Sequence, residues 1–231
     1  MLEIKDIHSY YGESYILQGV SLEIQKGELV TLLGRNGAGK TTTIKTIMGF
    51  LIPRPGAVHF KGKEITGLRP HQIARMGIGF VPEDRRIFSG LTVLDNLNLP
   101  VVGGGSDGWT LEKIFEHFSI LEERIKHKGS ELSGGEQQML AIARILRSGA
   151  ELLLLDEPTE GLAPFLIRTI EGIMKEIKKS GVTVLLVEQN IHFATEVADS
   201  HYILYGGKIA YHETNQEFRG NEEVKSKFLG I

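Results

Sequence analysis

The chain has 231 residues, a formal net charge of −3, and 41% hydrophobic and 24% charged residues, which is an ordinary composition for a globular protein. This charge excludes a broad attraction to nucleic acid or anionic lipid, and the absence of cysteine excludes disulfides and thiolate metal sites. The N-terminus lacks a secretory pattern and no apolar run approaches the roughly 18 residues of a membrane span, so we expect a cytosolic chain that can still dock on a membrane protein.

Short apolar runs alternate with amphipathic stretches, which predicts an α/β fold. Runs such as LVTLL and VTVLLV are apolar at successive positions, as in parallel strands covered on both faces. The first strands, LEIKDI and VSLEI, alternate more, which favours an antiparallel sheet with one wetter face. Predicted strands lie at 2–7, 19–24, 28–33, 57–60, 78–81, 151–155, 182–187, 202–205 and 208–211, and predicted helices at 40–50, 70–76, 93–99, 110–121, 134–147, 164–179, 190–198 and 222–228.

The section from about 85 to 150 contains predicted helices and no convincing strand, so it is interpreted as a helical subdomain inserted between core segments 1–84 and 151–231. Within it, Gly103 to Gly105 are interpreted as a flexible connector, because no phosphate-loop pattern follows them. Ile87, Phe88 and Leu91 are apolar and fit either the core of this subdomain or an interface with a membrane partner.

A phosphate-binding loop is predicted at 32–45, LLGRNGAGKTTTIK, which has the spacing G-x-x-x-x-G-K-[ST] between a strand and a helix. Glycines let backbone N–H groups converge on an anion, and the helix start directs its positive dipole end to the same place. Lys40 adds a charge near the β- and γ-phosphates, and the Thr41 hydroxyl can ligate Mg²⁺. The candidate nucleotide contacts here are Gly34, Arg35, Asn36, Gly37, Ala38, Gly39, Lys40, Thr41 and Thr42.

Two carboxylates follow the strand in ELLLLDEPTEG, 151–161. Ligands of open α/β sheets bind at this carboxyl end of the strands. Asp156 is expected to hold Mg²⁺, directly or through water, and Glu157 to accept a proton from the attacking water. Alone, such a pair is most often a solvated turn; the phosphate loop shifts the balance to a catalytic site.

A second anion-ready helix start is predicted in ELSGGEQQMLAIAR, 131–144. Ser133 suits an N-cap, and the backbone N–H groups of Ser133, Gly134 and Gly135 are expected to be exposed, with the helix dipole behind them. A purely structural alternative is a capped helix that follows a glycine hinge, and it accounts for Ser133. It does not explain why the chain should have a second helix N-terminus suited to binding phosphate.

LSGGEQQ between a phosphate loop and LLLLDEP resembles the ATP-binding cassette (ABC) ATPases, and the resemblance covers essentially the whole chain. It implies a P-loop NTPase fold: one ABC cassette over 1–231, with a parallel core sheet, an N-terminal antiparallel β subdomain and the inserted helical subdomain. It also implies that two cassettes pair head to tail around ATP, and that Tyr11, rather than Tyr10, stacks on adenine. The residues implied to act in trans on the partner's ATP are Ser133, Gly134, Gly135 and Glu136.

Three positions depart from the common cassette pattern. Glu83 stands where many cassettes have a glutamine that ligates Mg²⁺, and a carboxylate can still take the metal. Pro164 replaces an aspartate and suits the first turn of the next helix. Gln189 replaces the histidine that contacts the γ-phosphate.

The combination of VPE, EGLAP and VEQN, which contain Glu83, Pro164 and Gln189, resembles the second ATPase of branched-chain amino acid importers. Closely similar subunits serve urea and short-chain amide importers. The resemblance implies ATP hydrolysis coupled to import, on the cytoplasmic side of the membrane. The expected partners are a second cassette, identical or related, two transmembrane permease subunits and, indirectly, a solute-binding protein, but no nucleic acid. One alternative is a soluble ABC protein with no membrane partner. Another is a regulatory nucleotide-binding protein without turnover, and the presence of Glu157 argues against this second alternative.

Three polar residues end the strand in TVLLVEQN, 183–190. Asn190 is predicted to cap the following helix. Glu188 is interpreted as a solvated turn residue. Gln189 is expected to reach the γ-phosphate or the attacking water, and it cannot shuttle a proton, which leaves the base role to Glu157.

Overall fold

The computed structural model describes residues 1–99 and 108–230. The strands in these ranges are β1 (Leu2–Tyr11), β2 (Ser14–Ile24), β3 (Leu29–Leu33), β4 (Ala57–Phe60), β5 (Lys63–Glu64), β6 (Ile78–Val81), β7 (Leu152–Asp156), β8 (Thr183–Glu188), β9 (Ser200–Tyr205) and β10 (Lys208–Thr214). The α-helices are α1 (Lys40–Ile47), α2 (Pro70–Arg75), α3 (Val93–Leu97), α4 (Leu111–His117), α5 (Ser119–Glu123), α6 (Gly134–Arg147), α7 (Pro164–Lys179), α8 (Ile191–Val197), α9 (Asn215–Gly220) and α10 (Glu222–Val224). A 3₁₀ turn covers Gly129–Glu131 and a π-helical turn covers Lys225–Leu229.

The central sheet has the strand order β10-β9-β3-β8-β7-β6 among the described residues. All neighbouring pairs in it are parallel except β10 with β9, which is antiparallel. The predicted parallel core sheet is therefore confirmed. Parallel strands bring their carboxyl ends to one edge, so the loops after β3, β7 and β8 meet there.

A second sheet has the order β2-β1-β4-β5, and every pair in it is antiparallel. The alternation seen in the first strands therefore predicted their pairing correctly. Both strands extend past the predicted ends, because Tyr10 pairs with Tyr15 and Tyr11 with Ser14 around a tight turn.

Alternate residues of the central strands face two separate cores. Leu153 and Leu155 of β7 pack with α6 and α7, whereas Leu152 and Leu154 pack with α1 and the antiparallel sheet. All four are fully buried, and each contributes roughly 1.5–3 kcal/mol relative to an exposed leucine. The continuous leucine run is thus explained by cores on both faces.

The regular elements in the described part of the section from 85 to 150 are helices, with a single isolated bridge between Thr92 and Lys128. Ile87 packs partly against the core, whereas Phe88 is 52% exposed, so the apolar trio divides between core and surface. Gly103 to Gly105 lie outside the described residues, and the subdomain's boundaries stay a prediction. No helix in the described ranges combines the length and apolarity needed to cross a membrane.

Candidate active site

The loop between β3 and α1 encloses the side chain of Lys40. Its Nζ atom donates hydrogen bonds to the carbonyl oxygens of Gly34, at 2.8 Å, and Arg35, at 3.3 Å, and the residue is 4% exposed. Gly39, before the helix, has φ +111°, and a Cβ there would lie 2.7 Å from a Leu17 methyl group. No side chain caps α1, so its first N–H groups stay available to an anion.

Thr41 joins the loop to the end of β7, because its hydroxyl donates to Oδ1 of Asp156 at 3.0 Å. Asp156 is 1% exposed. Burial raises its pKa from 3.8 to about 6, although the Thr41 hydrogen bond opposes the rise. Thr41, Asp156 and Glu83 all line one cavity, which has a volume of about 450 Å³.

Glu157 follows β7 directly and faces the loop lysine. Its Oε1 lies 3.1 Å from Nζ of Lys40, and its side chain is 10% exposed. Burial acts against ionisation of Glu157, but the hydrogen bond from Gln189, the proximity of Glu160 and the charge of Lys40 together hold its pKa below the usual value. Glu157 is therefore an ionised acceptor at neutral pH.

Gln189, after β8, lies between the loop and the Glu157 carboxylate. Its Nε2 donates to Oε2 of Glu157 at 2.7 Å and to Oδ1 of Asn36 at 2.6 Å. The expected contact with the γ-phosphate stays a prediction, and these two protein contacts were not foreseen. The amide orients the carboxylate that faces Lys40.

The interpretation of Glu188 as a solvated turn residue is wrong. It is the last residue of β8 and is 2% exposed. Its carboxylate accepts hydrogen bonds from Thr159, Gln189 and Asn190. Burial raises its pKa, while these hydrogen bonds limit the rise. Asn190 is the predicted N-cap, since its side chain accepts from the Phe193 amide.

Tyr11 lies at the end of β1 and lines the cavity that contains Thr41, Glu83 and Asp156. Its exposed fraction is 44%, so part of the side chain is accessible to a ligand. Tyr10 instead stacks on Tyr15, with ring centroids 4.6 Å apart. This arrangement favours Tyr11 over Tyr10 as the aromatic contact.

The start of α6 is a separate part of the molecule. Ser133 caps the helix, but the expectation that its own N–H is exposed is wrong, because this group donates to Oε2 of Glu136 at 2.7 Å in a capping box. A Cβ on Gly135 would lie 2.3 Å from a Leu166 methyl group, so a larger residue here would force the Leu166 side chain to move. Ser133 and Glu136 line a cavity with Phe165, whereas the phosphate loop lines others.

The structure thus groups the predicted site residues into three places. Lys40, Glu157, Gln189 and Asn36 are linked in that order by direct contacts; Thr41, Asp156, Glu83 and Tyr11 line the adjoining cavity; and Ser133, Gly134, Gly135 and Glu136 lie at the start of α6. Thr159, Glu160 and Glu188 lie beside the site, and the sequence interpretation gave none of them a role in it.

A family model described as ABC transporter matches residues 17–160 of the chain. A high-affinity branched-chain amino acid transport ATP-binding protein from Pseudomonas aeruginosa is 43% identical over 232 residues, covering 100% of both chains. A xylose/arabinose import ATP-binding protein from Sulfolobus acidocaldarius is 35% identical over 237 residues, covering 99% of this chain and 94% of that protein. A dimeric ATP-binding cassette in a post-hydrolysis state with ADP and Pi superposes with a TM-score of 0.81, at 28% identity, covering 93% of this chain and 99% of that one.

Proposed function

The chain belongs to the ABC transporter family, as an ATP-hydrolysing transporter subunit, and on that premise we propose specific roles for its site residues. The convergence of Lys40, Glu157 and Gln189 carries this assignment. The phosphate loop binds the triphosphate, Lys40 offsets its negative charge, and Tyr11 stacks on the adenine.

Glu157 acts as the general base in this proposal. Its carboxylate accepts a proton from water as the water oxygen bonds to the γ-phosphorus and the bond to the ADP oxygen breaks. The depressed pKa keeps Glu157 ionised before the reaction. Gln189 holds the carboxylate in position through its amide, and a triphosphate in the loop would compete with Glu157 for Lys40.

The residues around Asp156 fit a magnesium ion. Mg²⁺ prefers oxygen donors and uses one or two carboxylates together with substrate phosphates. Asp156 offers a buried carboxylate, the Thr41 hydroxyl lies 3.0 Å from it, and Glu83 lines the same cavity. In the described ranges no three acidic or histidine side chains form a metal site of their own, which suits an ion shared with phosphate. Bound there, Mg²⁺ would supply charge neutralisation at the phosphates.

We place the start of α6 opposite the phosphate loop of a second cassette. Ser133, Gly134, Gly135 and Glu136 are remote from Lys40 within the chain, yet they form a capped helix start suited to an anion. The related cassette that forms a dimer with ADP and Pi supports this arrangement. The partner cassette, identical or related, and two permease subunits would hold the chain at the cytoplasmic side of the membrane.

The proposed cargo is a branched-chain amino acid, taken up with the help of a solute-binding protein. The support is 43% identity to a branched-chain amino acid transport ATP-binding protein over the full length of both chains. Urea and short-chain amides are the competing cargo.

Transport by the complete complex tests this proposal. The complex would be isolated from its native membrane through a tag on this chain and reconstituted in liposomes with its binding protein. We expect ATP-dependent uptake of labelled leucine, isoleucine or valine, and no uptake with a complex carrying Lys40→Ala. Uptake of urea or acetamide alone would overturn the cargo, and failure to recover any membrane subunit would overturn the transporter assembly.

A further inference from the structure

Glu188 is a buried carboxylate whose two oxygen atoms are both fully engaged. Oε1 accepts from the Thr159 amide at 3.1 Å and the Thr159 hydroxyl at 2.7 Å. Oε2 accepts from the amides of Gln189, at 3.0 Å, and Asn190, at 3.1 Å. A buried carboxylate is costly unless donors surround it, so four donors around this one indicate a built site rather than an incidental contact.

The four donors belong to two different turns. Oε1 binds the turn after β7, and Oε2 binds the turn after β8. The carboxylate therefore cross-links two segments that the sequence separates widely. The sheet alone cannot do this, because its ladder between β7 and β8 stops at Asp156 and Val187.

Each of these turns carries a residue of the proposed hydrolysis site. Glu157 lies two positions before Thr159, and Gln189 directly follows Glu188. Glu157 has φ +47°, a left-handed conformation that is unfavourable for a residue with a side chain. Its amide donates to the Val187 carbonyl at 2.9 Å. The Val187 carbonyl thus holds the amide of residue 157, and the Glu188 carboxylate holds residue 159. The strained backbone of Glu157 is therefore fixed at two points.

The contact between Gln189 and Glu157 closes a ring. Gln189 donates to Oε2 of Glu157, and the backbone of Gln189 is itself held by Glu188. Displacing the Glu188 carboxylate would therefore release both the base and the amide that orients it. Strained backbone at a functional site persists only where its surroundings hold it in place.

We propose that Glu188 is a positioning residue for ATP hydrolysis, which fixes Glu157 and Gln189 relative to each other through Thr159 and the amides after β8. The inference rests on the proposed role of Glu157 as general base. None of the four hydrogen bonds of the Glu188 carboxylate goes to the phosphate loop, so this side chain governs the rate of the chemical step rather than the binding of ATP.

Two single variants test this division between rate and binding. In Glu188→Gln an NH₂ group replaces one acceptor and faces amide donors, and we expect kcat to fall roughly tenfold to hundredfold. Thr159→Val removes only the hydroxyl donor, and we expect a fall of roughly fivefold to tenfold. KM and the equilibrium affinity for ATP should stay within about twofold of wild type, because Lys40 keeps its hydrogen bonds to the Gly34 and Arg35 carbonyls.

Glu217→Gln is the matched control. Glu217 accepts from the Thr214 amide and hydroxyl at the start of α9, with the same kinds of donor, but it has no contact with the site. We expect its kcat to equal the wild-type value. All rates would be normalised to the number of nucleotide-binding sites, so that misfolded protein does not count as a loss of kcat.

A double variant separates a shared contact from two independent defects. If Glu188 acts through Thr159, adding Thr159→Val to Glu188→Gln should cost less than the product of the single losses. The inference is overturned if both single variants keep kcat within twofold of wild type, or if ATP affinity falls in parallel with kcat. Wild-type turnover in Glu157→Gln would instead overturn the base assignment itself. Should Glu188→Gln fail to fold, Thr159→Val alone decides.

Discussion

Nζ of Lys40 lies 3.1 Å from Oε1 of Glu157, and both side chains are almost completely buried. The two residues follow β3 and β7, which are not adjacent, because β8 runs between them. Gln189, at the end of β8, bridges the gap by donating to Glu157. Three strand ends therefore contribute one cation, one carboxylate and one amide to a single site, and each can be removed separately.

Lys40→Ala should abolish most ATP hydrolysis. The substitution removes the charge that faces the phosphates and also the donor for the Gly34 and Arg35 carbonyls, which shape the loop. We expect turnover to fall by at least roughly a hundredfold, with weaker ATP binding. Phosphate release by the purified chain measures this, with Lys63→Ala on β5 as a control for the loss of a lysine. Near-normal turnover would sink the assignment of the phosphate loop.

Glu157→Gln should stop hydrolysis while ATP still binds. The amide cannot accept the proton from water, so we expect a loss of at least roughly a hundredfold. Removal of a negative charge beside the phosphates also favours bound ATP, and a dimer should therefore accumulate with ATP and Mg²⁺. Light scattering measures the dimer and a labelled nucleotide confirms binding. A chain that binds ATP but stays monomeric would contradict the proposed pairing.

The phosphate loop could be predicted from the sequence because its chemistry is local. The residues from Gly34 to Thr42 are contiguous, and the flanking strand and helix are visible in the apolar pattern. Asp156 and Glu157 could be added because parallel strands share a carboxyl edge. The residues from Gly134 to Arg147 and from Pro164 to Lys179 form helices at the predicted positions, where a cap or a proline marks the start.

Glu188 could not be placed from the sequence, because its burial depends on a distant partner. A carboxylate after an apolar strand looks the same whether it meets water or the Thr159 hydroxyl. Helix ends set by local geometry were missed as well. The predicted helix at 110–121 is two helices, since the chain turns at Phe118, where φ is −126° and ψ is 56°. The helical spacing of apolar residues continues across Phe118, so the sequence pattern gives no sign that the helix ends there.

Gln189→Ala should lower kcat with little effect on ATP affinity. The variant removes a hydrogen bond to an ionised carboxylate, which corresponds to a loss of roughly tenfold to hundredfold in rate. Gln189→His offers a sharper comparison, because imidazole titrates at about pH 6.5 and the glutamine amide does not titrate. A profile of kcat against pH should gain an inflection near that value only in the histidine variant. If Gln189→Ala turned over like wild type with the dimer intact, Gln189 would have no part in hydrolysis.

Asp156→Asn should change how stability depends on pH in the metal-free protein. Burial raises the pKa of Asp156 from 3.8 to about 6, so the folded state favours the protonated acid. The stability that this group contributes is fully present below pH 3.8 and is lost as the pH rises through about 6. The difference between a pKa of 3.8 and one of about 6 corresponds to about 3 kcal/mol in the free energy of unfolding. Asparagine stays neutral and can still accept from Thr41.

The two proteins should therefore differ little in stability at about pH 4, whereas at neutral pH the variant should be more stable by up to about 3 kcal/mol. Urea unfolding in EDTA between these limits measures the difference. Repeating it with Mg²⁺ and ADP provides the control, because a bound cation stabilises the ionised carboxylate and should favour wild type. A difference that stays flat with pH in EDTA would show that the Asp156 carboxylate is solvated, and such an aspartate would not be the buried ligand that the magnesium assignment requires.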